Sequence, residues 1–127
     1  MLDTNLNHIQ TPQEFDQLLR DHENVMICCG RMGPMCLPVY AVMEKLEGKY
    51  RHVAFRDMAF DEPVSTVVRS LPEVRHFTSL PFTLYFKRGK LVKATGGIQN
   101  KKQVTEILDA VFAPQPSEVA AASAAAP

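Results

Sequence analysis

One uninterrupted apolar segment does most to limit the folds open to this chain. Residues 25–29 read Val-Met-Ile-Cys-Cys, between the polar pair Glu23-Asn24 and Gly30. A strand with one face in water alternates apolar and polar residues, whereas a strand covered on both faces does not. The segment therefore predicts a central strand in a sheet that helices cover on both faces.

The segments around this strand alternate between helical and extended patterns. Apolar residues at helical spacing, or helix-start signals such as Thr11-Pro12, predict helices at about 12–21, 34–50, 61–70 and 101–112. Pro34 is expected to open the second helix and Pro38 to kink it. Strands are predicted at 7–9, 25–29, 53–57, 82–87 and 91–95. This order is typical of an α/β fold that ends in an antiparallel hairpin and a helix.

Length, charge and the two ends of the chain narrow the class of protein. The 127 residues suit one domain, and the zero formal net charge gives no attraction to nucleic acid or to an anionic membrane. The first residues lack the pattern of a secretory signal, and no segment has the apolar length of a membrane helix. We therefore expect a cytoplasmic domain at 1–112, with no nucleic-acid or membrane partner, and a disordered Ala- and Pro-rich tail at 113–127.

The three cysteines lie close together, at positions 28, 29 and 36. An odd number is poor for a secreted disulfide framework and ordinary for a cytosolic protein. Three thiolates are able to bind zinc or part of an iron–sulfur cluster, but this spacing is not a usual ligand pattern and a fourth ligand is missing. We expect no metal and no cofactor, unless a second copy of the chain supplies ligands.

Three short motifs, in matching order and spacing, resemble the thioredoxin family over residues 7–112. The segment 32–35, Met-Gly-Pro-Met, stands where that family has Cys-Gly-Pro-Cys. The segment 80–83, Leu-Pro-Phe-Thr, is similar to its segment with a cis-proline, here Pro81, and Gly97 is similar to its glycine beside the active site. The resemblance implies the thioredoxin fold, with a central mixed sheet flanked by helices on both faces.

The same motifs depart from the family at the positions of its chemistry. The attacking and the resolving cysteine correspond to Met32 and Met35, and a thioether forms neither a thiolate nor a disulfide. The aromatic residue before the first cysteine is Arg31, and the family's buried aspartate corresponds to Met26. The resemblance therefore implies that the standard dithiol reaction is absent.

One hypothesis assigns the redox chemistry to other cysteines. By the resemblance, Cys36 lies in the first turn of the second helix, partly exposed, where the helix N-terminus and Arg31 favour a thiolate. Cys28 and Cys29 point to opposite faces of their strand, and we favour Cys29 as the one that approaches Cys36. Each cysteine has a plain structural alternative, in the core or on the helix surface. The chain would then be an atypical thiol/disulfide redox protein in cell redox homeostasis, with a protein or peptide thiol or disulfide as partner.

The other hypothesis is a non-catalytic binding module or chaperone that holds a peptide or a partner protein. In the family, the backbone before the cis-proline pairs with an extended peptide, and Leu80 has that position here. Methionine suits adaptable contact surfaces, although Met32 and Met35 are equally consistent with partly buried packing. Both hypotheses predict the same partner-contact residues: Arg31, Met32, Gly33, Pro34, Met35, Leu80, Pro81 and Gly97.

Overall fold

The computed structural model describes residues 2–112 and contains a five-stranded mixed sheet. The strands are β1 (Asn7–Ile9), β2 (Asn24–Gly30), β3 (Ala54–Ala59), β4 (Phe82–Lys87) and β5 (Lys90–Gly96). Their spatial order is β1-β3-β2-β4-β5, with β1, β3 and β2 parallel and β4 and β5 each antiparallel to their neighbours. The predicted strands are confirmed, and the apolar segment 25–29 lies in the central strand.

Helices cover both faces of this sheet. They are α1 (Pro12–Asp21), α2 (Leu37–Glu47), α3 (Thr66–Arg69, preceded by a single 3₁₀ turn at Pro63–Ser65) and α4 (Lys101–Val111). Along β2, Val25 and Ile27 pack into the core beneath α1 and α3, whereas Met26 packs into the core beneath α2 and α4. Both faces of β2 are therefore buried, and the predicted α/β class with helices on both faces is confirmed.

The second helix begins three residues later than predicted. α2 starts at Leu37, so Pro34 lies in the preceding turn and Pro38 lies in the first turn of the helix. The N–H groups of a first turn have no partner within the helix, so a proline there removes no helical hydrogen bond. The prediction that Pro38 interrupts and kinks the helix is therefore wrong.

The described part of the chain ends in the core. Phe112 follows α4 and is buried in the core beneath α2 and α4. The tail predicted at 113–127 lies outside the described residues. None of the helices within residues 2–112 has the length and apolar character needed to cross a membrane.

Candidate functional site

A groove lies at the carboxyl end of β2, between two loops. The segment 31–36 before α2 forms one wall and the segment 78–80 before β4 forms the other, around a cavity of about 340 Å³. The Leu80–Pro81 peptide bond is cis, and the carbonyl of Pro81 accepts a hydrogen bond of 2.9 Å from the N–H of Gly97. The fold thus places the segments named as partner contacts next to one another.

Cys36 lies in the floor of this groove and points inward. The residue is only 2% exposed, and its Sγ accepts a hydrogen bond of 3.4 Å from the backbone N–H of Arg31. Gly30 makes room for the sulfur, because a Cβ added there would lie 2.8 Å from Sγ. The predicted partial exposure of this thiol is therefore wrong: Cys36 packs beneath the turn, although it does line the groove.

Cys28 and Cys29 are fully buried on opposite faces of β2. Cys29 belongs to the core beneath α1 and α3, whereas Cys28 belongs to the core that also contains Cys36. Burial is the largest cause that raises the pKa of Cys29 to about 12 and that of Cys28 well above its ordinary value. The structure contradicts the favoured pairing of Cys29 with Cys36, because the sheet lies between them. All three thiols are free.

Three large apolar side chains are exposed on the turn before α2 and the first residue of that helix, and Met35 among them lines the groove. Met32 is 42% exposed, Met35 47% and Leu37 43%. The turn that presents them is short and hydrogen-bonded, since the carbonyl of Gly33 accepts the N–H groups of Cys36 and Leu37, both at 3.0 Å. The alternative in which the methionines are partly buried packing residues does not hold, because both are exposed, although the sulfur of Met32 also accepts a hydrogen bond of 3.3 Å from the N–H of Asp3.

The side chain of Arg31 is held by an acidic neighbour instead of by the thiol. Its Nε and Nη2 donate to the two carboxylate oxygens of Asp61 at 2.8 and 2.9 Å, and the guanidinium lies 5.1 Å from the ring centre of Phe60. The Arg31 hydrogen bond and charge lower the pKa of Asp61. Arg31 therefore has its charge balanced by Asp61 and contacts Cys36 through its backbone.

Sequence reasoning missed one group, the buried carboxylate of Asp57 on β3. Among residues 2–112 it is the only fully buried acidic side chain, and it is hydrogen-bonded to Thr4 Oγ1 and His8 Nδ1. Burial is the main cause that raises the pKa of Asp57, against the effect of both hydrogen bonds. The available signal was an aspartate within a predicted strand beside buried Phe55.

In the described chain no three His, Cys, Asp or Glu side chains form a metal site.

Comparison with solved structures shows the thioredoxin fold. Thioredoxin of Plasmodium falciparum is similar with a TM-score of 0.69 and 23% identity, over 84% of this chain and 99% of that one. A mutant thioredoxin from Halobacterium salinarum has a TM-score of 0.71 and 19% identity, over 87% and 93% of the two chains. Thioredoxin O2 from Arabidopsis thaliana has a TM-score of 0.68 and 17% identity, over 86% and 96%.

No family model and no curated protein matches the sequence. At identities of 17–23% the structural likeness defines the fold class alone. The chain is a thioredoxin-fold protein whose turn before α2 reads Arg31-Met-Gly-Pro-Met-Cys36. The function of this protein therefore has to be inferred from the chemistry of the groove.

Proposed function

We propose that this protein is an atypical thiol/disulfide redox protein that acts through Cys36 on a protein partner held in the groove. The proposal rests on one observation: among residues 2–112, Cys36 is the one cysteine that lines the groove. Its sulfur accepts a hydrogen bond from the N–H of Arg31 and lies at the N-terminal end of α2, on the side of the turn that faces the groove. We place this activity in the redox homeostasis of the cytoplasm.

The proposed reaction is thiol–disulfide exchange with a partner disulfide. The Cys36 thiolate attacks one partner sulfur, so that a Cys36–partner bond forms while the partner's S–S bond breaks and its other sulfur leaves as a thiolate. Since Cys36 is buried, the segment 31–36 has to open before the sulfurs meet. A partner segment bound beside Pro81 and against the exposed methionines would favour this opening.

Replacing Cys36 with serine should abolish oxidation of the native protein by oxidised glutathione. Serine keeps the size of the side chain but supplies no sulfur for exchange. The measurement is intact mass after maleimide labelling, taken over a time course in glutathione buffer. The Cys29→Ser variant is the matched control, because Cys29 is equally buried and lies on the other face of β2. Equal oxidation of the wild type and Cys36→Ser, or no oxidation of the wild type, contradicts the proposal.

The exposed apolar side chains near the groove support a second candidate function, a binding module that holds an extended protein segment without thiol chemistry. Met35 lines the groove, Met32 and Leu37 are exposed close to it in the chain, and methionine adapts to partners of different shape. A variant in which all three cysteines are serine separates the candidates. Under both candidate functions this variant should still bind peptide. It should keep the activity of the protein in cells only if the protein is a binding module.

The change Met35→Gln should weaken the binding of a cysteine-free apolar peptide about tenfold. Removing apolar surface that a bound peptide would cover loses on the order of 1.4 kcal/mol, which is tenfold in Kd. Val92→Gln is the control, because Val92 is 46% exposed, on β5 and away from the groove. Titration calorimetry gives both values of Kd. Equal weakening by the two substitutions places the peptide somewhere other than the groove.

A further inference from the structure

A row of polar and titratable side chains crosses the sheet, one from each strand. Register pairs join His8 of β1 to Asp57 of β3, Asp57 to Cys28 of β2, Cys28 to Thr83 of β4, and Thr83 to Thr95 of β5. Residues in register on neighbouring strands point to the same face of a sheet. For this row it is the face beneath α2 and α4, where Cys28 packs. The reaction of Cys36 described above uses none of these groups.

Cys36 reaches the same face of the sheet beside this row. Its Sγ lies next to Gly30, which follows Cys28 by two residues on β2, and residues so spaced have side chains about 7 Å apart. Residue 30 is glycine and puts no side chain of its own between the two cysteines, and the hydroxyl of Tyr40 shares this space with the Cys36 sulfur. After burial, repulsion by Cys36 is the next cause that raises the pKa of Cys28, ahead of the adjacent Cys29. Cys28 and Cys36 are therefore neighbours within one core.

The row also connects Cys28 to the edge of the sheet. Asp57 is fully buried and hydrogen-bonded to His8, whose side chain is 21% exposed. On the other side of Cys28, the hydroxyls of Thr83 and Thr95 are buried, and the interaction of Thr83 with the Cys28 thiol lowers the pKa of that thiol against the larger effect of burial. Polar groups therefore flank Cys28 on both sides.

We propose that Cys28 is the second thiol of the redox couple, which attacks the mixed disulfide on Cys36 and closes a Cys28–Cys36 disulfide, while its proton leaves through Asp57 and His8. This inference rests on the proposed function of Cys36 and names the group that completes it. It replaces the sequence-based choice of Cys29, which lies across the sheet.

The step balances in atoms and electrons. The Cys28 thiol gives its proton to the Asp57 carboxylate, and its sulfur forms a bond to Cys36 Sγ. The bond between Cys36 and the partner breaks, and the partner sulfur leaves as a thiolate that takes a proton from water. The partner disulfide is reduced to two thiols, the two protein thiols are oxidised to one disulfide, and His8 returns the proton from Asp57 to solvent.

The groups around Cys28 favour Asp57 as the proton acceptor. Burial first, and Glu44 of α2 in addition, raise the pKa of Asp57, while the hydrogen bonds from Thr4 and His8 lower it. A carboxylate with a raised pKa takes a proton more readily than an ordinary one. The other titratable groups near Cys28 are the phenols of Tyr40 and Tyr85, and burial raises the pKa of each, so both stay neutral.

The test is peptide mapping of the full-length wild-type protein after equilibration with oxidised glutathione. We expect a linked Cys28–Cys36 peptide, with two thiols protected from alkylation together and no glutathione retained. A protein that stops with glutathione on Cys36, or that links Cys29 to Cys36, overturns the role of Cys28 and leaves that of Cys36 intact. A protein in which Cys36 never reacts overturns both. These outcomes are read on the unmutated chain, so they do not depend on the folding of a variant.

Three substitutions test the assignment further. Cys28→Ala should stop at a stable glutathione adduct on Cys36, whereas Cys29→Ala, equally buried on the opposite face, should still close the disulfide. Asp57→Asn should slow closure of the disulfide about 100-fold relative to formation of the adduct, because the amide accepts no proton. Equal closure rates in Asp57→Asn and wild type overturn the proton route. A disulfide that forms in Cys28→Ala overturns the choice of Cys28.

Discussion

Replacing Phe112 with alanine should lower the free energy of unfolding by about 3–5 kcal/mol, the range for deletion of a large buried aromatic side chain. Phe112 is fully buried and its ring centre lies 6.1 Å from that of Tyr85 on β4. Its N–H donates to Leu108 at 2.8 Å, and its carbonyl is 2.7 Å from Nε2 of His52. Through these contacts Phe112 packs the end of α4 against the sheet and links it to the loop before β3. Urea unfolding followed by circular dichroism measures the loss.

The control for Phe112 is Ile98→Ala, an apolar side chain that is 47% exposed, with an expected change within about 0.5 kcal/mol. Shortened chains extend the test to the domain boundary that we propose at residue 112. A chain ending at 112 should match the full-length protein, and a chain ending at 111 should lose as much stability as Phe112→Ala. A chain ending at 111 with full stability would contradict this boundary.

The sheet was predictable because its strands carry local signals. The uninterrupted apolar segment in β2 is a local pattern that needs no long-range contact to recognise, and the predicted hairpin of β4 and β5 turns at Arg88 and Gly89, which take the positive φ values of 51° and 80° that such a turn needs. The start of α2 was less predictable. Pro34 and Pro38 both suit a first helical turn, and the choice of the later one depends on Cys36 packing against the sheet.

The predicted pairing of Cys29 with Cys36 failed for a reason of geometry. Strand alternation shows that Cys28 and Cys29 face opposite ways, but the strand alone does not say which face α2 will cover. That depends on the crossover from β2 to β3, a property of the whole fold. Asp57 was missed because a fully buried carboxylate is rare. The hydrogen bonds that offset the cost of burying this carboxylate come from Thr4 and His8, which are distant in the sequence.

Gly30→Ala should destabilise the protein by about 1–3 kcal/mol, the usual cost of overpacking a filled core. An added Cβ would lie 2.7 Å from the hydroxyl of Tyr40, 2.8 Å from Sγ of Cys36 and 3.0 Å from Cβ of Pro81. Tyr40 donates a 3.1 Å hydrogen bond to the carbonyl of Arg31, so displacing its hydroxyl also loosens the turn. In an open position the same substitution would stabilise the chain by about 0.4–1 kcal/mol through the unfolded state, and here the clash outweighs that gain.

Gly33→Ala separates these two effects, because nothing lies within 4 Å of the Cβ it would add. We expect Gly33→Ala to leave the urea midpoint unchanged or slightly raised and Gly30→Ala to lower it. If the two variants unfold at the same midpoint, Cys36 and Tyr40 do not pack against Gly30. Gly30→Ala should also speed maleimide labelling of Cys36, since the Cβ pushes the sulfur from its place under the turn. Labelling at the wild-type rate or slower would contradict this displacement of the sulfur.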